Sequence, residues 1–440
     1  MQIEHPMKFQ TISTTELYQQ LGNPEVTLID VRPVEAYNGW KIHNEKRGGH
    51  IRGARSLPRR WADYMDWIEI VRAKGINPGQ ALVVYGYDTD EAQLVADRFS
   101  RSGYDQIRIY EQFLNEWCTD ESLPMDRLAR YQHLVYPEWL KTLIDGGNPP
   151  ESVGKDFVIC HGHYRNRGAY EEGHIPGAIE VDTNTLESPE TWNRRSPAEL
   201  KETLERLGIT SDTMVILYGR FSFPDNNDPF PGSNAGHLGS IRAAFIMMYA
   251  GVKDVRILNG GLKSWEDAGF EITTNEYKPV YWGAFGTRIP GRPELAVDMA
   301  EAREIISSDQ AELVSVRSWP EYIGEVSGYN YIEKKGRIPG SVFGNCGTDA
   351  YHMENYRNLD HTTREYHEIE EIWRDVGVVP EKHNAFYCGT GWRGSEAWFN
   401  AWLMGWPKVS VFDGGWFEWS NDPQNPIETG IPDEVQKTKV

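Results

Sequence analysis

The sequence predicts an α/β protein built as three tandem domains, each an open, mostly parallel sheet flanked by helices. Three observations carry this expectation. The chain has 440 residues, about three domains at roughly 150 residues each. One pattern of apolar runs and Gly-rich turns occurs three times along it. Within each copy, strand-like and helical segments alternate, the order that yields a parallel sheet covered on both faces.

Composition narrows the classes. Forty-five Lys and Arg against 65 Asp and Glu leave a net charge of −20, which repels a polyphosphate and argues against a nucleic-acid partner. The 39% hydrophobic share, with 16 Trp, 22 Tyr and 15 Phe, is enough for sizeable cores, so the chain is no disordered acidic tail. No apolar run approaches the roughly eighteen residues of a membrane span. Four scattered cysteines without a CxxC spacing are not the framework of a disulfide-rich scaffold. Met1 to Gln10 lacks the apolar stretch of a signal peptide, so the expected location is cytoplasmic, or periplasmic if such a peptide has been removed.

Each copy opens with a candidate helix, starting at Thr14, Pro137 and Asp298. A strand-like run follows: Thr27 to Arg32, Phe157 to His161 and Glu312 to Arg317. Next come the turns Gly49 to Ala54 (GHIRGA), Gly173 to Ala178 (GHIPGA) and Gly336 to Ser341 (GRIPGS). A second strand ends in Tyr85-Gly86, Tyr218-Gly219 and Tyr387-Cys388. After a further helix, a last strand leads to Ile109-Tyr110-Glu111 with Trp117, Asn259-Gly260-Gly261 with Trp265, and Asp413-Gly414-Gly415 with Trp419. The third copy slides onto the first without a gap. The middle copy carries an insertion, Phe221 to Asn234, whose Pro, Asn and Asp content predicts a surface loop. Polar stretches near Thr119 to Arg130 and Thr273 to Pro293 read as linkers, giving expected domains 1–125, 126–275 and 290–440.

Ligands of open α/β sheets bind beyond the carboxyl ends of strands, so the chemistry is expected where the three copies differ after the second strand. In the third copy this is Cys388-Gly389-Thr390-Gly391-Trp392-Arg393, leading into a helix. Glycines let backbone N–H groups curl inward as an anion nest. A helix N-terminus points at the same spot, and Arg393 adds a full charge. All three favour a thiolate, so the Cys388 pKa is expected near or below neutrality. Gly86 and Gly219 leave the other copies without a nucleophile. Trp392 is placed to wall a pocket. Arg337, standing where the other turns have His50 and His174, is read both as a turn residue and as a cation for an anionic donor.

The repeated strand, GxIxG turn, strand, loop and DGGxxxW pattern resembles the rhodanese family of sulfurtransferases, and CGTGWR resembles its catalytic loop. Over nearly the whole length, with a nucleophile only in the last of three modules, the chain is similar to the three-domain bacterial thiosulfate sulfurtransferases. The resemblance implies that Cys388 accepts a sulfane sulfur and becomes a persulfide held by the loop amides, and that Asp413 with its glycines closes the turn into the last helix. Catalysis is thus assigned to Cys388 and Arg393, and substrate binding to Gly389, Thr390, Gly391, Trp392, Arg337 and Arg317, with no metal and no cofactor. The expected partners are a small sulfur donor, thiosulfate, and a sulfur-acceptor protein.

Two departures from the family pattern concern the donor. The strand motif's aspartate, present as Asp30, is Ser315 in the third copy, and Glu321 stands where two-domain relatives carry a thiosulfate-binding arginine. The loop's first four residues also match those of mercaptopyruvate sulfurtransferases. Three readings therefore stand: a thiosulfate sulfurtransferase, a 3-mercaptopyruvate sulfurtransferase, and a persulfide relay protein, for which the resemblance implies molybdopterin or tRNA thiolation. A Cys-dependent phosphatase is disfavoured, because its loop holds five residues between Cys and Arg where this one holds four. Cys160, His161, His163 and His174 lack the paired spacings of a zinc site. Cys346 reads as structural before it reads as a resolving thiol.

Overall fold

The computed structural model of the protein describes residues 9–152, 156–221, 235–281 and 283–432. The insertion expected after Phe221 and the extreme N-terminus lie outside them. Three five-stranded sheets share one topology. From edge to edge the first runs Gln10–Thr11, Ile107–Tyr110, Ala81–Tyr85, Val26–Asp30, Arg55–Ser56. The second runs Leu134–Val135, Asp254–Leu258, Met214–Tyr218, Phe157–His163, Ile179–Asp182, and the third Ala296–Val297, Val409–Phe412, His383–Tyr387, Ala311–Ser315, Val342–Phe343. Every pairing within these sheets is parallel. Central strands such as Met214–Tyr218 are buried on both faces, which is why they read as continuous apolar runs and not as alternating ones.

The repeated turns have a repeated physical cause. Gly53, Gly177 and Gly340 take φ of 80°, 85° and 77°, a conformation open to glycine at little cost. In each turn the next residue's N–H returns to the isoleucine carbonyl: Ala54 to Ile51, Ala178 to Ile175 and Ser341 to Ile338. A tyrosine from the preceding short helix then seals it, the hydroxyls of Tyr37, Tyr170 and Tyr322 donating to the carbonyls of Ala54, Ala178 and Ser341 at 2.8, 2.9 and 2.7 Å. His50 and His174 stack on Tyr37 and Tyr170, both at 3.7 Å between centroids. Arg337 lies over Tyr322 in the same role.

The chain forms two compact units, Met1–Gln132 and His133–Val440. The sequence difference behind this lies in the helices that follow the second strand. In the first copy, Thr89–Arg101 buries only Ala92, Val95, Ala96 and Phe99, the spacing of a surface helix. In the other two, every residue of Gly236–Ala250 and Trp392–Leu403 is buried. These two helices pack on each other, with Phe245 edge-on to Trp398 at 5.1 Å. The second and third modules therefore share one interior.

The stretch Thr273 to Pro293 is more than a spacer. Thr273 bridges to His174, Phe285 is fully buried and its carbonyl receives the Ser211 N–H, and Gly291 and Arg292 donate to Ala250 and Tyr249. Apart from residue 282, which is not described, it is strapped along the middle module by backbone bonds that its Pro and Gly content does not advertise. Among the described residues, no helix is long and apolar enough to cross a membrane.

Candidate active site

Cys388 follows the strand His383–Tyr387 and precedes the helix Trp392–Leu403. The loop's carbonyls are turned away: those of Cys388 and Gly389 accept from Trp416 and Phe417 at 2.8 and 2.9 Å, and that of Gly391 from Ser395 at 2.8 Å. The N–H groups of Gly389 to Arg393 find no acceptor among the described residues, as expected of a helix start, so they are available to an anion. Gly391 supplies the positive φ, 87°, that the curl requires. Gly389 is needed for a different reason, since a Cβ there would lie 2.3 Å from the Tyr329 ring. Tyr329 and Tyr331 lie against the loop, and burial holds both hydroxyls well above the ordinary tyrosine value. Both phenols are uncharged beside Cys388. Cys388 itself is buried.

The predicted cation is present but neutralised. Arg393 is buried and donates through both Nη atoms to Glu321, at 2.9 and 2.8 Å, and also to the Tyr329 hydroxyl at 2.9 Å. Arg317 donates to the same carboxylate at 3.2 Å and to the Gly336 and Ser327 carbonyls. Ser318 completes it through its N–H and hydroxyl. Burial alone would raise the Glu321 pKa, yet Arg393 and Arg317 hold it at about 2. The first module explains the departure seen in sequence. There Arg32 pairs with Asp30 and donates to the Gly49 carbonyl. With Ser315 in place of that aspartate, Glu321 takes over its arginine and binds Arg393 as well.

The remaining predicted residues separate. Thr390 is buried in the loop, beside Tyr331. Trp392 turns its indole N–H to both oxygens of Glu187 at 3.0 Å and sets its ring edge-on to Tyr164 at 5.3 Å, both in the middle module. Arg337 donates to the Gly430 carbonyl and pairs with Glu428, and neither partner belongs to the loop. Cys346 donates to the Val316 carbonyl at 3.0 Å, and burial pushes its thiol up to about 12. Cys160 is buried with its thiol pushed up, and His163 pairs with Glu180 at 2.7 Å.

Sequence reasoning missed what the middle module contributes. Arg242 pairs with Glu187 and with Asp413, at 3.1 and 2.5 Å, and Arg194 reaches Asp413 through its backbone N–H and its guanidinium. Asp413 thus ties two modules at the catalytic loop in addition to opening the last helix. Burial disfavours its charge, but Arg242 and Arg194 hold its pKa below the usual value. Glu187 goes the other way, since burial outweighs Arg242 and lifts it from 4.5 to about 7. A carboxyl with a raised folded pKa stabilises most below its unfolded value, and that contribution is lost as pH rises. The His133–Val440 unit is therefore expected to lose stability between about pH 4.5 and 7 on this account. Glu187→Gln should flatten that slope in urea unfolding followed across the range, and an unchanged slope would refute it.

A Rhodanese-like domain model matches residues 13–120, 137–268 and 298–422. The chain belongs to the rhodanese family. Among its rhodanese relatives, the thiosulfate sulfurtransferase YnjE of Escherichia coli is 38% identical over 95% of this chain and 92% of that protein. The sulfur carrier protein TtuD of Thermus thermophilus is 30% identical over 59% of this chain and 87% of its own. Structures of EanB are 59% identical, with TM-scores of 0.95 to 0.96, and cover 98% of this rhodanese chain and all of EanB. They include complexes with hercynine and with ergothioneine, and a cysteine persulfide in a tetrahedral intermediate state with ergothioneine. The persulfide cysteine of EanB is separated from a substituted tyrosine and a substituted threonine by the intervals that separate Cys388 from Tyr329 and Thr390. The protein is a sulfurtransferase of the cysteine persulfide type.

Proposed function

We propose that Cys388 takes a sulfane sulfur and passes it to the imidazole of hercynine, forming ergothioneine. The observation that carries this reading is the neutralised cation pair. Arg393 and Arg317 are both committed to Glu321, so the loop offers a dianion its backbone N–H groups but no unpaired guanidinium. What surrounds Cys388 instead is aromatic and hydroxylic: Tyr329, Tyr331 and Thr390. That lining suits an uncharged heterocycle better than a dianion. The likeness to EanB, with Tyr329, Cys388 and Thr390 at matching intervals, supports the same acceptor.

The steps balance without a cofactor. Cys388 thiolate attacks the outer sulfur of a sulfane donor such as thiosulfate, and sulfite leaves with the bonding pair. The terminal persulfide sulfur then bonds to the imidazole carbon between the two nitrogens, giving a tetrahedral centre. Loss of that carbon's proton forms C=S while the S–S bond breaks and its pair returns to Cys388 as thiolate. Loop N–H groups stabilise the anionic sulfur at both ends of the cycle, and the neutral Tyr329 and Thr390 hydroxyls are the groups beside Cys388 able to hold a ring nitrogen. Protein loaded with thiosulfate, and separately with polysulfide, should gain one sulfur atom by intact mass. Hercynine should discharge it as ergothioneine, detected by chromatography. Loading without discharge to hercynine would defeat this acceptor and return the weight to a thiol or carrier protein.

A further inference from the structure

The middle module, which has no nucleophile, holds the catalytic loop at two points. The first is Trp392. Its indole N–H meets both oxygens of Glu187 at 3.0 Å. Its ring lies so close to the helix Gly236–Ala250 that a Cβ on Gly239 would stand 3.3 Å from it. The second point is the turn at Asp413, whose carboxylate pairs with Arg242 at 2.5 Å and accepts the Arg194 N–H at 2.8 Å. One guanidinium serves both points, because Arg242 also donates to Glu187 at 3.1 Å. Glu187, Arg242 and Asp413 are all inaccessible to water, so their mutual attraction is little screened. Gly391 rests against this network. A Cβ there would lie 3.0 Å from the Asp413 carbonyl oxygen and 3.2 Å from Arg242 Nη1, a nitrogen with no hydrogen-bond acceptor of its own. A buried donor left unbonded is costly, and Arg242 bears that cost with its other nitrogens committed to Glu187, Asp413 and the Trp192 carbonyl.

The peptide between Gly391 and Trp392 is thereby fixed at both ends. Gly391 is confined at φ 87° with its carbonyl committed to Ser395, and Trp392 is anchored through its side chain. Rotation of that peptide plane would turn a carbonyl toward the loop N–H groups left open to an anion. It would replace a donor by an acceptor where anionic sulfur must sit.

We propose that Glu187 is a positioning residue for sulfur transfer: aligned by Arg242, it grips Trp392 so that the Gly391–Trp392 peptide keeps its N–H toward the sulfur on Cys388. The middle module then has a task in the reaction, whichever acceptor discharges the persulfide. The test uses the full-length protein and follows single-turnover loading of Cys388 by intact mass, over a range of thiosulfate and of polysulfide concentrations. Trp392→Phe removes the indole N–H and leaves the buried ion pairs whole. It should lower the saturating loading rate about 30-fold, somewhat under the loss for deleting one oxyanion-hole donor, and shift the half-saturating donor concentration by less than about threefold. Glu187→Gln keeps an oxygen for the indole and should load within about threefold of the wild type, whereas Glu187→Ala should fall as far as Trp392→Phe. Because the two side chains act as one grip, the double variant Glu187→Ala with Trp392→Phe should be within about twofold of the slower single. Losses that multiply in the double variant, a Trp392→Phe protein at the wild-type rate, or a Glu187→Gln protein as slow as Trp392→Phe would each overturn the proposal. Should Glu187→Ala fail to fold, the last two comparisons decide it. A wild type that loads from neither donor would remove the transfer step and the positioning role together, whereas loading without discharge to hercynine would leave that role standing.

Discussion

Cys388→Ser is expected to abolish sulfur uptake and delivery together, lowering turnover by at least about four orders of magnitude, the scale set by removal of a catalytic nucleophile. The substitution is nearly isosteric at a buried position, so the melting temperature should barely move. Serine cannot replace the thiol here. Its hydroxyl does not ionise near neutral pH, and the loop amides stabilise an anion only once one exists. Nor can Cys346 stand in, with its thiol pushed up to about 12 by burial and its hydrogen committed to the Val316 carbonyl. Intact mass after thiosulfate treatment, with single-turnover discharge to hercynine, reads both half-reactions. Cys346→Ala is the control, expected to load one sulfur as the wild type does. Loading of the serine variant, or loss of loading in the alanine variant, would move the nucleophile to Cys346.

The threefold repeat was legible because its marks are backbone requirements. The GxIxG turns need a positive φ at Gly53, Gly177 and Gly340, and the loop after Tyr387 needs glycine at 389 to clear the Tyr329 ring. Such constraints leave the same letters at the same spacing, so the shared sheet topology and the one chemically distinct loop can be read from the sequence. The middle module's part cannot. Glu187 and Arg242 reach Trp392 and Asp413 across roughly 170 to 205 residues of chain, and no periodicity links them. The one hint is compositional: the helix from Gly236 to Ala250 lacks the charged face its first-module counterpart carries, which signals a buried junction without saying what lies at its rim. The pairing of Arg393 with Glu321 was likewise beyond the sequence. A charged residue next to a thiol reads as a cation for that thiol, and only the fold shows that Glu321 claims it first.

Glu321→Ala is expected to cost about 3–5 kcal/mol in the His133–Val440 unit, the usual penalty for deleting one member of a fully buried ion pair. The carboxylate compensates two guanidinium groups at once, and both it and they are inaccessible to water. Its removal leaves Arg317 with two carbonyl acceptors and Arg393 with the Tyr329 hydroxyl, the Asp349 backbone carbonyl and the Cys346 sulfur as its remaining partners, none of these atoms carrying a balancing charge. Arg393→Ala should cost less, because Glu321 keeps Arg317, although the sequence alone suggests no cost at all. The double variant should therefore recover part of the sum of the single losses, a coupling that urea unfolding of the four proteins would measure. Acid supplies an independent check. A carboxyl held at about 2 in the folded protein gives its full stabilisation above the unfolded value and loses it as pH falls toward 2, so the wild type should weaken over that interval and Glu321→Ala should have lost this part of the slope. Glu321→Gln keeps the hydrogen-bonding outline but uncovers positive charge beside the loop, and it should lower the KM for thiosulfate loading if the neutralised pair is what disfavours dianions. A Glu321→Ala protein within about 1 kcal/mol of the wild type, with an unchanged acid slope, would show that the pair is not what holds Arg393 in place.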